Sequence, residues 1–203
     1  MKRKREHRPL PQPSPSRTRP WAGLIRRVMS WWQGKNLVFQ FAAGFAGLLA
    51  LFYVLTLTPW YTSVFRVYLR GTVATANALL HALGQATSVS GTSISSTVFS
   101  VDVRRGCDGL EPVALFGAAV LGFPLVGIRR KLCGIAAGVT GLLALNQLRI
   151  VSLYFIGVHW PLLFEMMHVE VWQVVFILLS IVLWAFWIQW ALRRAGGPAS
   201  APG

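Results

Sequence analysis

Residues 37–58, LVFQFAAGFAGLLALFYVLTLT, run for 22 positions without a charge. At 1.5 Å per residue a helix of that length covers about 33 Å, enough to cross a hydrocarbon core of roughly 30 Å. Lipid offers no partner for backbone N–H and C=O groups, so such a segment has to be helical. Three further stretches follow the same logic: 107–128, acidic only in its first turn and closed by RRK at 129–131; 132–157, interrupted by Asn146 and Arg149; and 171–192, stopped by Arg193 and Arg194. With 54% hydrophobic residues, 13% charged and a mean hydropathy of +0.53, the expected class is an all-α integral membrane protein of about four transmembrane helices.

The formal net charge of +14 would suggest a nucleic-acid partner if the basic residues formed a folded patch. Half of the 20 Lys and Arg residues lie in the first 35 positions instead, among Pro and Ser. That segment is expected to be a disordered basic tail that touches anionic lipid, with no nucleic acid as partner. The apolar stretch after it is longer than a signal-peptide core and lacks a small-x-small cleavage site, so the tail is expected to stay attached. With the N-terminus inside, 15 basic residues face the cytoplasm and 4 lie in the 59–106 loop. The positive-inside rule therefore puts both ends, including a flexible 195–203 tail, in the cytoplasm of a bacterial inner membrane.

Residues 60–84 are apolar enough to compete as a span, but Arg66, Arg70, Asn77 and His81 would each be costly in lipid, and a fifth crossing would put RRK on the wrong side. An amphipathic helix on the outer face is expected. The Ser/Thr/Val-rich stretch up to Arg105, with Gly91 as a turn, reads as a short hairpin. Gly134, Ala137, Gly138 and Gly141 give the 132–157 helix small faces for close packing.

The spans bring distant polar residues to one membrane depth. Cys107 starts the second helix at the outer boundary, and Arg149 lies 18 residues beyond Lys131, about 27 Å along its helix and back toward that face. His168 sits just before the last helix. Each has an ordinary reading alone: a boundary cysteine fills space, an arginine snorkels, a histidine marks the interface. Arg149, however, stands three residues after Asn146 with apolar neighbours on both sides, which turns both polar groups into the bundle.

Together the three groups suit acyl transfer. A thiol at a helix N-terminus near Arg104, Arg105 and Arg149 has its thiolate favoured; histidine carries a proton near neutral pH; arginine holds an oxyanion. Asp108 and Glu111 are expected to occupy the first helical turn rather than act as acid and base. Cys107 and Cys133 are about 39 Å apart along the chain's helix, which excludes a redox pair. His159, His168 and Glu165 form no compact ligand motif, so neither metal nor cofactor is expected.

At GCDGLE, NQLRI and MHVEVWQ the sequence resembles the exosortase/archaeosortase family of membrane cysteine transpeptidases, and looks most like its short H-type branch. The likeness covers about residues 37–192. It implies Cys107 as nucleophile, Arg149 as oxyanion stabiliser and His168 as general acid/base; from their placement beside these, Asn146, Asp108, Glu111 and Arg105 are expected in support. His159 competes with His168, and only the resemblance prefers the latter. The implied substrates are membrane-anchored proteins with a C-terminal tripartite signal, cleaved through a thioester and passed to an acceptor. The chain departs from longer members in having about four spans rather than eight. A non-catalytic membrane scaffold is the alternative, motivated by small size and Gly/Ala-rich helix faces; a small transporter is disfavoured because no pair of interrupted half-helices is visible.

Overall fold

The computed structural model describes residues 36–193; the expectations for the two tails lie outside these residues. Helix α1 (Leu37–Thr56) has no buried residue, as expected of a helix whose surroundings are lipid. It ends at a turn where Thr58 caps the next helix through its side chain, with Pro59 at the first helical position. That is the arrangement in which proline's missing N–H matters least. Helix α2 (Pro59–Ala82) is amphipathic. Arg66 and Arg70 are exposed, while Leu69, Val73, Ala76 and Leu80 are buried. Two of the polar residues that disfavour a crossing find partners in the following loop: Thr87 donates to Asn77 Oδ1 and its carbonyl oxygen meets His81 Nε2, each at 2.7 Å.

The expected hairpin is a three-stranded antiparallel sheet, β1 (Ser88–Ser90), β2 (Ser93–Ser95) and β3 (Ser100–Asp102). Its inward residues Ile94, Val101 and Val103 pack with Tyr154, Ile150 and the buried stripe of α2. The third strand follows from Ser96, which binds the Phe99 backbone and closes a second tight turn. Asp102 anchors the sheet's far end by accepting from Thr92, Ser93 and Arg104.

Helix α3 (Leu110–Gly122) departs from the span expected over 107–128. It has 13 residues, about 20 Å, short of the roughly 30 Å core. Local chemistry sets both ends. Gly109 at φ 80° is outside the helical region, and Phe123 is extended as the residue before Pro124 has to be. Among the described residues, three helical runs are long and apolar enough to cross a membrane: α1, α4 (Ile128–His159) and the continuous run Pro161–Arg193. The last contains a π-turn at Met167–Val171 followed by α5 (Trp172–Arg193). At 32 residues, α4 is about 48 Å long, so its final turns reach past any bilayer core and pack under the sheet.

Helix α3 sits among α1, α4 and α5. It meets α1 where Gly44 faces Gly122; a Cβ on Gly122 would lie 3.0 Å from the Phe45 backbone nitrogen. The glycines of α4 receive rings rather than backbone: Phe116 fills the place of a Gly138 side chain and Trp187 that of Gly134. Gly141 has nothing within 4 Å, so the small face is used in part. Phe116, Val120, Leu142, Phe176 and Trp187 form the core of this half.

Candidate active site

Cys107 lies in the turn between β3 and α3, where its N–H donates to the Arg104 carbonyl oxygen. Gly106 and Gly109 flank it with positive φ of 90° and 80°, a sharp bend that side chains with a Cβ adopt only under strain. Asp108 is buried and its Oδ1 accepts from Leu110 N–H at 2.7 Å, an Asx turn that leads into α3. Its carbonyl oxygen accepts from Tyr68 Oη at 2.6 Å and from Asn146 Nδ2 at 3.0 Å. The loop is thus tied to α2 and α4 through one backbone oxygen.

His168 arrives from the π-turn. Its Nε2 is 2.5 Å from Cys107 Sγ, and its ring stacks on Phe164 with centroids 5.5 Å apart. Wide turns of this kind recur at functional sites because they redirect one side chain out of the helical register. His159 is exposed and stacks on Phe155; the structure does not bring it to Cys107.

Arg149 joins the two. Its Nη2 donates to the His168 carbonyl oxygen at 3.0 Å and lies 3.6 Å from Cys107 Sγ, and its Nη1 donates to the Gly106 carbonyl oxygen at 3.2 Å. The guanidinium packs over the Phe176 ring and is 6% exposed. Its Nε is buried without a partner, and among the described residues no carboxylate is within ion-pair distance of it.

The two preceding arginines differ from expectation. Arg104 is exposed and pairs with Asp102 at 2.6 Å, and Arg105 lies over the rings of Tyr61 and Phe65 at 5.7 Å each. Neither bonds the thiol, although the charge of Arg104 still favours its thiolate. Burial pushes the Cys107 thiol above the ordinary cysteine range, and Arg149 pulls against it. Burial thus works against the thiolate that the neighbouring guanidinium favours. Glu111 and Arg105 line the same cleft as Cys107. Tyr68 is a supporting residue that the sequence reading missed; its signal is the spacing of Tyr61, Phe65 and Tyr68, an aromatic stripe on one face of α2.

Gly109 carries a specific expectation. A Cβ there would stand 2.9 Å from Asn146 Cγ, on a residue already at positive φ. Gly109→Ala should destabilise by about 1–3 kcal/mol and appear as a lower unfolding midpoint in detergent; an unchanged midpoint would contradict this account of the bend.

Fold and site define a polytopic helical membrane protein with a thiol, an imidazole and a guanidinium gathered at one end of the bundle. The family model described as transmembrane exosortase matches residues 28–187, and the chain belongs to that family. No curated protein and no solved structure matches it.

Proposed function

We propose that this protein is a cysteine peptidase and transpeptidase that removes C-terminal sorting signals from membrane-anchored secreted proteins. The observation that carries the reading is the contact of Cys107 Sγ with His168 Nε2, bridged by Arg149 Nη2, across sequence separations of 61 and 42 residues. A cation buried in a membrane domain without a counter-ion is expensive, and such residues mark functional sites by default. Family membership supports the substrate class. The distribution of basic residues supports a site on the outer face of a bacterial inner membrane, with both termini in the cytoplasm.

The chemistry follows from the parts. His168 Nε2 takes the Cys107 proton as sulfur adds to the scissile carbonyl carbon, and the oxyanion forms beside Arg149. The C–N bond breaks, His168 returns the proton to the leaving amine, and a thioester remains on Cys107. An acceptor amine or water then loses a proton to His168 and attacks the thioester, which restores the thiol.

The test uses a secreted protein of the same genome that ends in a short motif, an apolar span and a basic cluster. Co-expressed with the full chain, it should form an adduct on Cys107 that neutral hydroxylamine releases, as it does a thioester. A non-catalytic scaffold predicts no such adduct, and its absence with processing intact would sink the reading.

A further inference from the structure

The end of the bundle away from Cys107 carries a second feature. Arg130 Nη1 donates to the Ala191 carbonyl oxygen at 3.3 Å, and Trp187 Nε1 donates to the Arg130 carbonyl oxygen at 3.2 Å. These two bonds clasp the start of α4 to the end of α5. Past the clasp the two helices leave an apolar groove, with Cys133, Gly134 and Ala137 on one side and Phe186, Trp187 and Trp190 on the other. Its rim faces outward: Cys133 and Ala137 are exposed, Phe186 is 67% exposed and Trp190 38%.

Two observations bear on what fills this groove. The first is helical register. Arg129 stands four residues before Cys133, and Arg193 stands three after Trp190, spacings that put each arginine over the groove's end on its own helix. Both are exposed, one on either side of the clasp. The second is charge balance. The acidic residues among the described ones are Asp102, Asp108, Glu111, Glu165 and Glu170, and all belong to the Cys107 end. Arg149 at that end lies 19 residues beyond Arg130, about 29 Å along α4. Among the described residues no carboxylate therefore stands near Arg129 or Arg193. An occupant with an anionic phosphate at the helix ends and hydrocarbon in the groove below is a phospholipid. Guanidinium groups hold phosphate through paired N–H donors, and basic pockets between helices at the cytoplasmic face collect anionic headgroups.

We propose that the α4–α5 groove binds an anionic phospholipid, with its phosphate between Arg129 and Arg193 and an acyl chain along Cys133, Ala137 and Trp190. The site lies at the opposite end of the bundle from Cys107 and does not depend on the peptidase reading. Its position still matters for that end. Helix α4 carries Arg149, and the helical run that ends in α5 carries His168. A lipid seated across the two reinforces the clasp between the elements that bring these side chains together.

The test uses the full chain carrying Cys107→Ser, Cys133→Ser and Ala136→Cys, labelled with bimane at Ala136→Cys, an exposed position beside the groove. It is reconstituted in mixed phosphatidylglycerol and phosphatidylcholine vesicles in which one lipid or the other has brominated chains. Bromine quenches at close contact, so the two series give the preference of that spot for either lipid. Phosphatidylglycerol should be favoured about fivefold, the scale of one juxtamembrane cation. Arg129→Gln with Arg193→Gln should bring the ratio to about one, whereas Arg3→Gln with Arg5→Gln in the basic tail should leave it unchanged. The same label at Leu148→Cys, exposed toward the Cys107 end of α4, should report a ratio of about one. Equal quenching by both lipids at Ala136→Cys overturns the proposal. So does a preference that survives Arg129→Gln with Arg193→Gln, that disappears only in the tail variant, or that is equally strong at Leu148→Cys. Unfolding midpoints in detergent report that the variants are folded. Should the double variant fail to fold, Arg193→Gln alone, at the exposed end of α5, decides the case by losing part of the preference or none of it.

Discussion

Cys107→Ala is expected to abolish processing of a co-expressed substrate, with full-length protein accumulating in the membrane and a rate loss of about 10⁴-fold or more, as for removal of a nucleophile. The fold should survive. Cys107 is half-buried, its backbone hydrogen bond to the Arg104 carbonyl oxygen does not use the side chain, and the bend belongs to the glycines on either side. An immunoblot of substrate beside the unfolding midpoint of the variant separates lost chemistry from lost structure. Normal processing by Cys107→Ala would remove the thiol from the mechanism altogether.

Arg149→Lys is the second large effect, and it probes geometry at constant charge. One guanidinium reaches the carbonyl oxygens of Gly106 and His168 and the Cys107 sulfur while lying flat over Phe176. An ammonium on a flexible stem cannot repeat that fork or that stacking. Processing should fall about 10²–10³-fold, the scale for loss of one preorganised oxyanion donor. N-ethylmaleimide should still label Cys107, because the thiol stays where the loop puts it. Processing within a few fold of wild type would assign Arg149 to loop support rather than to the oxyanion.

Much of the membrane architecture was legible along the chain because burial in lipid is a local demand. An uncharged run such as 37–58 has one way to satisfy its backbone, and the polar residues of 60–84 each make a crossing costly. The second span was read too long for an equally local reason. Hydropathy over 107–128 does not register that Gly109 adopts positive φ or that Pro124 extends Phe123, and these two positions limit α3 to Leu110–Gly122. The third strand escaped notice because three-residue strands carry too little alternation to stand out.

The candidate site divides in the same way. Sequence by itself determined the membrane class, the charge asymmetry, and the placement of Cys107, Arg149 and His168 toward the same end of the bundle, since depth follows from counting residues along helices. Only the tertiary structure decided which histidine meets the sulfur, which arginine does, and what lies beneath them. Those are rotational and lateral questions: the π-turn aims His168 inward while His159 stacks outside, and Arg104 and Arg105 turn to Asp102 and to aromatic faces. Beneath them a cleft runs between α1 and α5 along α3. Spacing fixes how far along a helix a residue stands, and packing alone fixes what its side chain meets there.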